Sequence, residues 1–273
     1  FLRPLGLRLA GVALSLYAAL AWGWGWLPCM LLAMLGGMVL GAISGLLKSY
    51  CNVNEVISGI MLNWIVLYLT NMLLTTVKEA ASPYTIVLAN NNPSAVLPSL
   101  GLGALFNKNQ YVGLAIPLSI VMAILIWIVL DKTRFGYELK ATGFNRNAAK
   151  YCGMKENRNI ILTMVIAGAL AGFGAGLLYL TGIEDWETTI SSVPGMGFNG
   201  IPVALLASSN PIGTIFASLF ISYIQVGGAA MQPAYSSETI DIVIAVIIYL
   251  AAFALLMRGI ITKAVSGHKG KEG

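Results

Sequence analysis

The sequence predicts an all-α, polytopic transmembrane helical bundle of about seven spans plus one broken half-helix. Three observations carry that expectation. Hydrophobic residues fill 58% of the 273 positions and charged residues only 10%, at a mean hydropathy of +0.80, which leaves too little polar surface for a water-soluble globule. Apolar runs of about 20 residues, the length that crosses a bilayer core of roughly 30 Å, recur along the chain. Most Lys and Arg lie at the ends of those runs, so the net charge of +5 reports membrane orientation and no nucleic-acid partner is expected.

The runs cover residues 9–27, 28–47, 56–77, 111–130, 160–182, 212–230 and 239–257. A turn around Trp26, Leu27 and Pro28 is expected between the first two, where Trp22, Trp24 and Trp26 suit an interfacial aromatic belt. With the first loop cytoplasmic, fourteen of the sixteen basic residues lie inside: Arg3, Arg8, Lys48, seven in 131–159, and Arg258, Lys263, Lys269 and Lys271. Only Lys78 and Lys108 then lie outside, so the positive-inside rule places both termini in the cytoplasm. The last span can return inward only if the chain also crosses within 190–211. That stretch carries Pro194, Gly195, Gly197, Gly200, Pro202 and Pro211, and only 201–207 reads as continuous apolar helix. Such a helix rises about 10 Å, far short of a span. It is expected either to line a cavity or to kink among neighbours, because irregular backbone at that depth survives only against protein or trapped water.

Gly37, Gly41 and Gly45, followed by Leu46 and Leu47, recur 131 positions later as Gly168, Gly172 and Gly176, followed by Leu177 and Leu178. Glycine at every fourth position makes a smooth stripe for close helix packing. A similar phrase follows each stripe, Ser58-Gly59-Ile60-Met61 in one half and Asn199-Gly200-Ile201-Pro202 in the other. The two stripes cross in opposite directions, so an inverted repeat is expected, with substrate passing where the halves meet.

Asn63 and Asn71 interrupt an apolar run, with Asn52, Asn54 and Glu55 at its cytoplasmic entrance. On a helix the two amides stand about 80° apart, so they either flank one pore-facing sector or hydrogen-bond between helices. In 131–159, Asn145 suits an N-cap, 146–152 a two-turn helix and Gly153 a C′ terminator. That segment reads either as a docking element or as an ordinary basic loop. Cys29, Cys51 and Cys152 have no CxxC spacing and no neighbouring His, so no metal, cofactor or disulfide is expected. The single histidine is His268, and no span carries a titratable relay, which disfavours an ion-coupled carrier. No nucleophile–base set or carboxylate pair shares a depth, which disfavours an enzyme.

The phrase Val53-Asn54-Glu55-Val56-Ile57-Ser58-Gly59-Ile60-Met61-Leu62-Asn63-Trp64 closely resembles the signature "NEVI, two residues, IMLN, aromatic" of permease subunits from ABC importers for nucleosides and simple sugars. Residues 143–154, with the pair Ala148-Ala149 ahead of Gly153 and Met154, resemble the family's cytoplasmic coupling segment. Residues 197–206 and Asn210-Pro211-Ile212-Gly213 resemble its late broken segment. The resemblance covers about 28–257. Residues 1–27 match poorly, a Gly-Glu-Gly-Gln-like element is missing, and the start at Phe1 suggests truncation.

The resemblance implies one permease domain over 1–273 in a bacterial inner membrane, with 131–159 as the coupling loop and 258–273 as a basic cytoplasmic tail. It implies a second permease subunit, a cytoplasmic ATP-binding subunit and an extracytoplasmic, often lipid-anchored substrate-binding protein. The ATPase is a separate chain, since no G-x-x-x-x-G-K-S/T loop occurs here. Asn145, Ala148, Ala149 and Gly153 are the expected coupling residues, and Glu55, Asn63, Asn71, Asn199, Gly200 and Asn210 the expected pathway residues. A nucleoside is the leading substrate class, for which Trp64, Trp186, Asn63 and Asn199 offer aromatic faces and amides; a sugar or branched-chain amino acid is the alternative.

Overall fold

Helices dominate the computed structural model, which describes residues 3–77, 84–98, 113–192, 197, 200–231, 239, 242–247, 249–250, 253 and 257. Residues 1–198 and 199–273 form two compact units. The first unit holds α1 (Arg3–Ala21), α2 (Trp26–Tyr50), α3 (Glu55–Thr75), β1 (Thr85–Ile86), the single turn α4 (Leu88–Asn91), α5 (Ala115–Lys132), α6 (Arg134–Phe144), α7 (Arg146–Tyr151), α8 (Glu156–Tyr179) and β2 (Trp186–Glu187). The second holds α9 (Gly200–Leu206) and α10 (Pro211–Ala230). Among the described residues, α2, α3, α5, α8 and α10 are long and apolar enough to cross a membrane, and α1 contributes the shorter apolar stretch Leu7–Ala21. Of the expected span at 239–257, eleven of nineteen residues are described and all eleven are helical, while the tail at 258–273 lies wholly outside the described residues.

Two boundaries differ from expectation for identifiable reasons. The turn between α1 and α2 falls at 22–25, not at Trp26–Pro28, because Gly23 takes φ +63° and turns the chain there. Pro28 then sits in the first turn of α2, where a missing N–H leaves no intrahelical bond unmade. The segment 131–159 is not a loop with one short helix, since α6 precedes it. The Thr133 hydroxyl caps α6 by accepting from Gly136 N at 3.1 Å. Gly136 lies so close to the Val129 and Leu130 backbone that a Cβ there would overlap it, which fixes a tight corner between α5 and α6.

The central packing of the first unit is the glycine seam between α2 and α8. A Cβ on Gly37 would strike the Gly168 carbonyl oxygen, and one on Gly168 would strike that of Gly37. A Cβ on Gly172 would meet the Ala33 carbonyl, one on Gly41 the Met164 carbonyl, and one on Gly45 would come within 2.9 Å of Ile161 Cα. These pairs run antiparallel. The 131-residue offset carries Ala33 onto Met164 and Gly41 onto Gly172, so the contact of Ala33 with Gly172 and that of Gly41 with Met164 are images of each other. Without hydrocarbon-to-water transfer to drive association between spans, this backbone approach gains dispersion contact that any larger residue would forfeit.

α1 packs against α2, α3 and α8, and its Leu9, Val12 and Leu16 join Cys29, Leu67, Leu74 and Phe173 in one buried cluster. Polar groups at this depth are satisfied locally: Ser15 donates to Val12 O at 3.1 Å, and Thr70 donates to Val66 O at 2.7 Å and lies 3.4 Å from Leu9 O. Beyond the helices, β1 and β2 pair antiparallel, Thr85 with Glu187 and Ile86 with Trp186. This two-stranded clasp joins the segment after α3 to the segment after α8. Leu97 N also donates to Leu180 O at 2.8 Å, and Asn92 Nδ2 donates to Ala19 O and Trp24 O at 2.8 and 3.1 Å.

Candidate functional site

The expected coupling segment forms a short helix whose two ends are both closed. At its N-terminus the Asn145 side chain accepts from Ala148 N at 3.1 Å. At its C-terminus Gly153 takes φ +79°, Gly153 N donates to Lys150 O and Met154 N to Ala149 O, each at 3.0 Å. These two bonds are the Schellman pattern, which only a residue at ease with positive φ completes without strain. Six residues are too few for a free helix to persist, so α7 depends on these caps and on its supports. Arg146 donates to Asn157 Oδ1 at 2.7 Å, Ser49 of α2 reaches Asn157 O at 3.4 Å, and buried Asn159 donates to the Thr142 hydroxyl at 3.0 Å, which ties α6 to α8.

The four expected coupling residues are brought together, with unequal roles. Asn145 and Gly153 cap α7, Ala148 is exposed, and Ala149 is buried at 3% exposure. Sequence reasoning missed the most prominent side chains here: Phe144, the last residue of α6, and Tyr151, the last of α7, are 91% and 92% exposed. The signal available in the sequence was two aromatic residues bracketing the short stretch between Asn145 and Gly153, where a six-residue helix has no core of its own in which to bury them.

Among the expected pathway residues, Glu55 opens α3 behind its N-cap Asn54, which accepts from Val56 N at 2.9 Å; the Glu55 side chain lies outside the description. Asn63 is buried, on the same face of α3 as Val66, Leu67 and Thr70. Asn71 is half-buried and fully engaged, donating to Ile190 O at 2.8 Å and accepting from Trp186 Nε1 at 3.2 Å. Trp186 does not offer the expected aromatic surface. Its exposure is 0%, and it lies edge-on to Tyr179 with ring centroids 5.7 Å apart, because the β clasp and Asn71 draw it inward from between acidic neighbours. Trp64, by contrast, is exposed and stacks on exposed Tyr68 at 6.3 Å and 26°.

In the second unit Gly200 opens α9, while Asn199 lies outside the described residues. Ser208 and Ser209, both at positive φ, end α9 by donating to Leu205 O and Ala204 O at 3.0 and 2.8 Å. Asn210 then caps α10, its side chain accepting from Ile212 N and Gly213 N at 2.9 and 3.2 Å, with Pro211 as the first helical residue. The expected half-helix of 201–207 thus takes form as α9, closed by a turn rather than by a kink.

The chain matches the profile of the family described as the branched-chain amino acid transport system permease component over residues 6–252. It is 33% identical over 240 residues to the guanosine ABC transporter permease protein NupP of Bacillus subtilis, covering 87% of this chain and 68% of that protein. It is 32% identical over 242 residues to the nucleoside ABC transporter permease protein NupB of Lactococcus lactis, covering 86% and 65%. A glucose ABC transporter permease protein of Haloferax volcanii, TsgB13, is 27% identical over 231 residues, covering 81% and 60%. This chain therefore spans about two thirds of the length of these relatives. No solved structure matches it. The profile begins at residue 6, so most of α1, in the stretch expected to match poorly, lies within the matched region. On this match, and on the bundle that accompanies it, the chain belongs to the family of permease components of branched-chain amino acid transport systems.

Proposed function

We propose that this chain is the membrane-spanning permease subunit of an ATP-driven nucleoside importer in a bacterial plasma membrane. It works as one permease domain with a second permease subunit, a cytoplasmic ATPase and an extracytoplasmic binding protein. The observation that carries the reading is α7: a six-residue helix capped at both ends, braced on α6 and α8 and exposing Ala148 between Phe144 and Tyr151. Such a platform can receive force from a partner without bending. Two relatives named as nucleoside or guanosine permeases, each matched over most of this chain, support the substrate class.

The orientation places 131–159 and both ends of the chain in the cytoplasm, on the strength of the basic residues concentrated there. The antiparallel seam, whose contacts map onto themselves under the 131-residue offset, supports an inverted repeat. For the pathway, Gly200 and Asn210 frame the broken helix, and the exposed Trp64–Tyr68 pair gives a nucleobase aromatic faces. Glu55, Asn63 and Asn199 remain pathway residues in this reading, whereas Asn71 shapes the pathway by holding the 186–190 segment.

The test is Ala148→Asp in the assembled transporter. The variant should fold normally, lose its co-purifying ATPase and lose ATP-driven guanosine uptake. Uptake that runs on an ion gradient without ATP would overturn the proposal. The 27% identical glucose permease supports a sugar as the second reading, and competition of guanosine uptake by glucose would favour it.

A further inference from the structure

Between α6, the α7–α8 connection and the first turns of α8 lies a cavity of about 560 Å³. One side is apolar, formed by Phe135, Met154 and Leu162, and Leu162 already belongs to the apolar length of α8. The other side carries Lys155 and Arg158, with Glu138 as the one carboxylate among the described lining residues. Its frame is rigid: Gly153 holds the positive-φ corner on one edge, and Asn159 is pinned to Thr142 on the other.

The charges of 131–159 are not equally available. Lys140 pairs with Asp131, Lys132 lies over the Trp127 ring at 5.4 Å, and Arg146 donates to Asn157. The side-chain nitrogens of Lys155 and Arg158 make no ion pair or hydrogen bond among the described residues, and both residues are exposed and line one cavity. The volume suits a small polar headgroup, within the roughly 300–1,000 Å³ of ordinary ligand sites. A wall that passes from two cations to hydrocarbon within the first turns of a span matches an amphiphile with a phosphate at one end. A cytosolic anion would leave Phe135 and Leu162 uncovered.

We infer that this cavity is a binding site for the headgroup of an anionic phospholipid of the cytoplasmic leaflet, with Lys155 and Arg158 on the phosphate and the acyl chains leaving past Leu162. The site rests on the cytoplasmic orientation proposed above. It sits directly beneath the C-terminal cap of α7, so lipid bound there would brace the coupling platform.

Cys152 lines the same cavity and is exposed, which provides the readout. In a Cys51→Ser background, with Cys29 buried, the assembled transporter is placed in nanodiscs of phosphatidylcholine alone or with phosphatidylglycerol, and alkylation of Cys152 by a maleimide is timed. Phosphatidylglycerol should slow the reaction about ten-fold or more. The double variant Lys155→Gln/Arg158→Gln should lower the affinity for phosphatidylglycerol roughly thirty-fold, the worth of two basic residues at an anionic surface, and so abolish most of that protection. Arg134→Gln/Lys150→Gln removes two cations outside the cavity and should leave protection intact. Equal loss in both double variants, or equal alkylation in both lipids, overturns the site. Protection by free glycerol 3-phosphate in phosphatidylcholine discs overturns the lipid as its occupant. Impermeant maleimide on intact cells separates the two readings: labelling of Cys152 from outside refutes the orientation, whereas labelling only from inside but indifferent to lipid refutes the site alone.

Discussion

The two halves of the chain share a glycine stripe but treat the phrase after it in opposite ways. From Glu55, through Ser58-Gly59-Ile60, the chain runs on as one helix of 21 residues to Thr75; from Gly200 it stops after seven, at Leu206. α3 contains no proline and no positive φ. The second half has Pro202 in the first turn of α9, two serines at positive φ and an Asn-Pro restart. A continuous helix pairs its interior backbone groups within itself, whereas a half-helix leaves ends that something else must satisfy. Here Ser208 and Ser209 supply donors to the last carbonyls of α9, and Asn210 accepts from the first amides of α10. The seam is thus regular helix contributed by both stripes, whereas the phrase that follows the second stripe is broken where the first continues.

The largest effect is expected at the seam. Gly168→Ala drives a methyl into the Gly37 carbonyl oxygen, and neither helix backbone can yield without separating from the other. The loss should reach the upper end of the ~1–3 kcal/mol typical of overpacking. Gly174→Ala, on the same helix with nothing within 4 Å of the added methyl, should instead be neutral or stabilising by up to ~1 kcal/mol. Unfolding of the two purified variants in detergent checks this; equal midpoints would mean that the seam does not hold the halves together. Next comes Asn71→Ala, which removes the partner of a fully buried indole N–H and a bond to the Ile190 carbonyl. The expected cost is ~2 kcal/mol. Hydrogen exchange should quicken over 186–190 while remaining unchanged in α8.

How much of this was legible followed from how local each signal was. The seam, the caps of α7 and the shortness of α9 were all visible, because a four-residue glycine period, an Asn–Gly pair and a cluster of prolines act on their own neighbourhood. What stayed hidden depends on partners far away in sequence. Asn71 is bonded to residues 115 and 119 positions away, and a clasp of two-residue strands leaves no alternating pattern to read. Trp186 was expected to offer an aromatic face, and Glu184, Asp185 and Glu187 surround it, yet β pairing turns alternate residues to opposite faces and buries it. Within the Ala148-Ala149 pair, one step of 100° separates an exposed side chain from a buried one, and composition cannot say which. α6 was missed because its eleven residues mix Gly136 and Gly143 with charged Arg134, Glu138 and Lys140, and its cap is a single threonine.

Smaller effects test the irregular half. Asn210→Ala deletes the cap of α10 and should cost ~1 kcal/mol, while Asn210→Asp keeps an acceptor and should cost a fraction of that. Faster exchange at the Ile212 and Gly213 amides in the alanine variant alone would locate the loss at the restart of the helix.

The smallest effect has the opposite sign. Ser208 holds φ +50° and Ser209 φ +59°, a region that costs a residue with a Cβ about 1 kcal/mol or more and glycine almost nothing. Ser208→Gly should therefore stabilise by a net ~0.5 kcal/mol, the relief of strain exceeding the extra freedom that glycine gains in the unfolded chain. Ser208→Ala keeps the strain and should bring no gain. Unchanged guanosine uptake in the glycine variant would make the turn an ordinary connector between two helices. Slower uptake in a protein that melts higher would mean that the turn between α9 and α10 must open during the cycle, with the strain at Ser208 holding its two conformations close in energy.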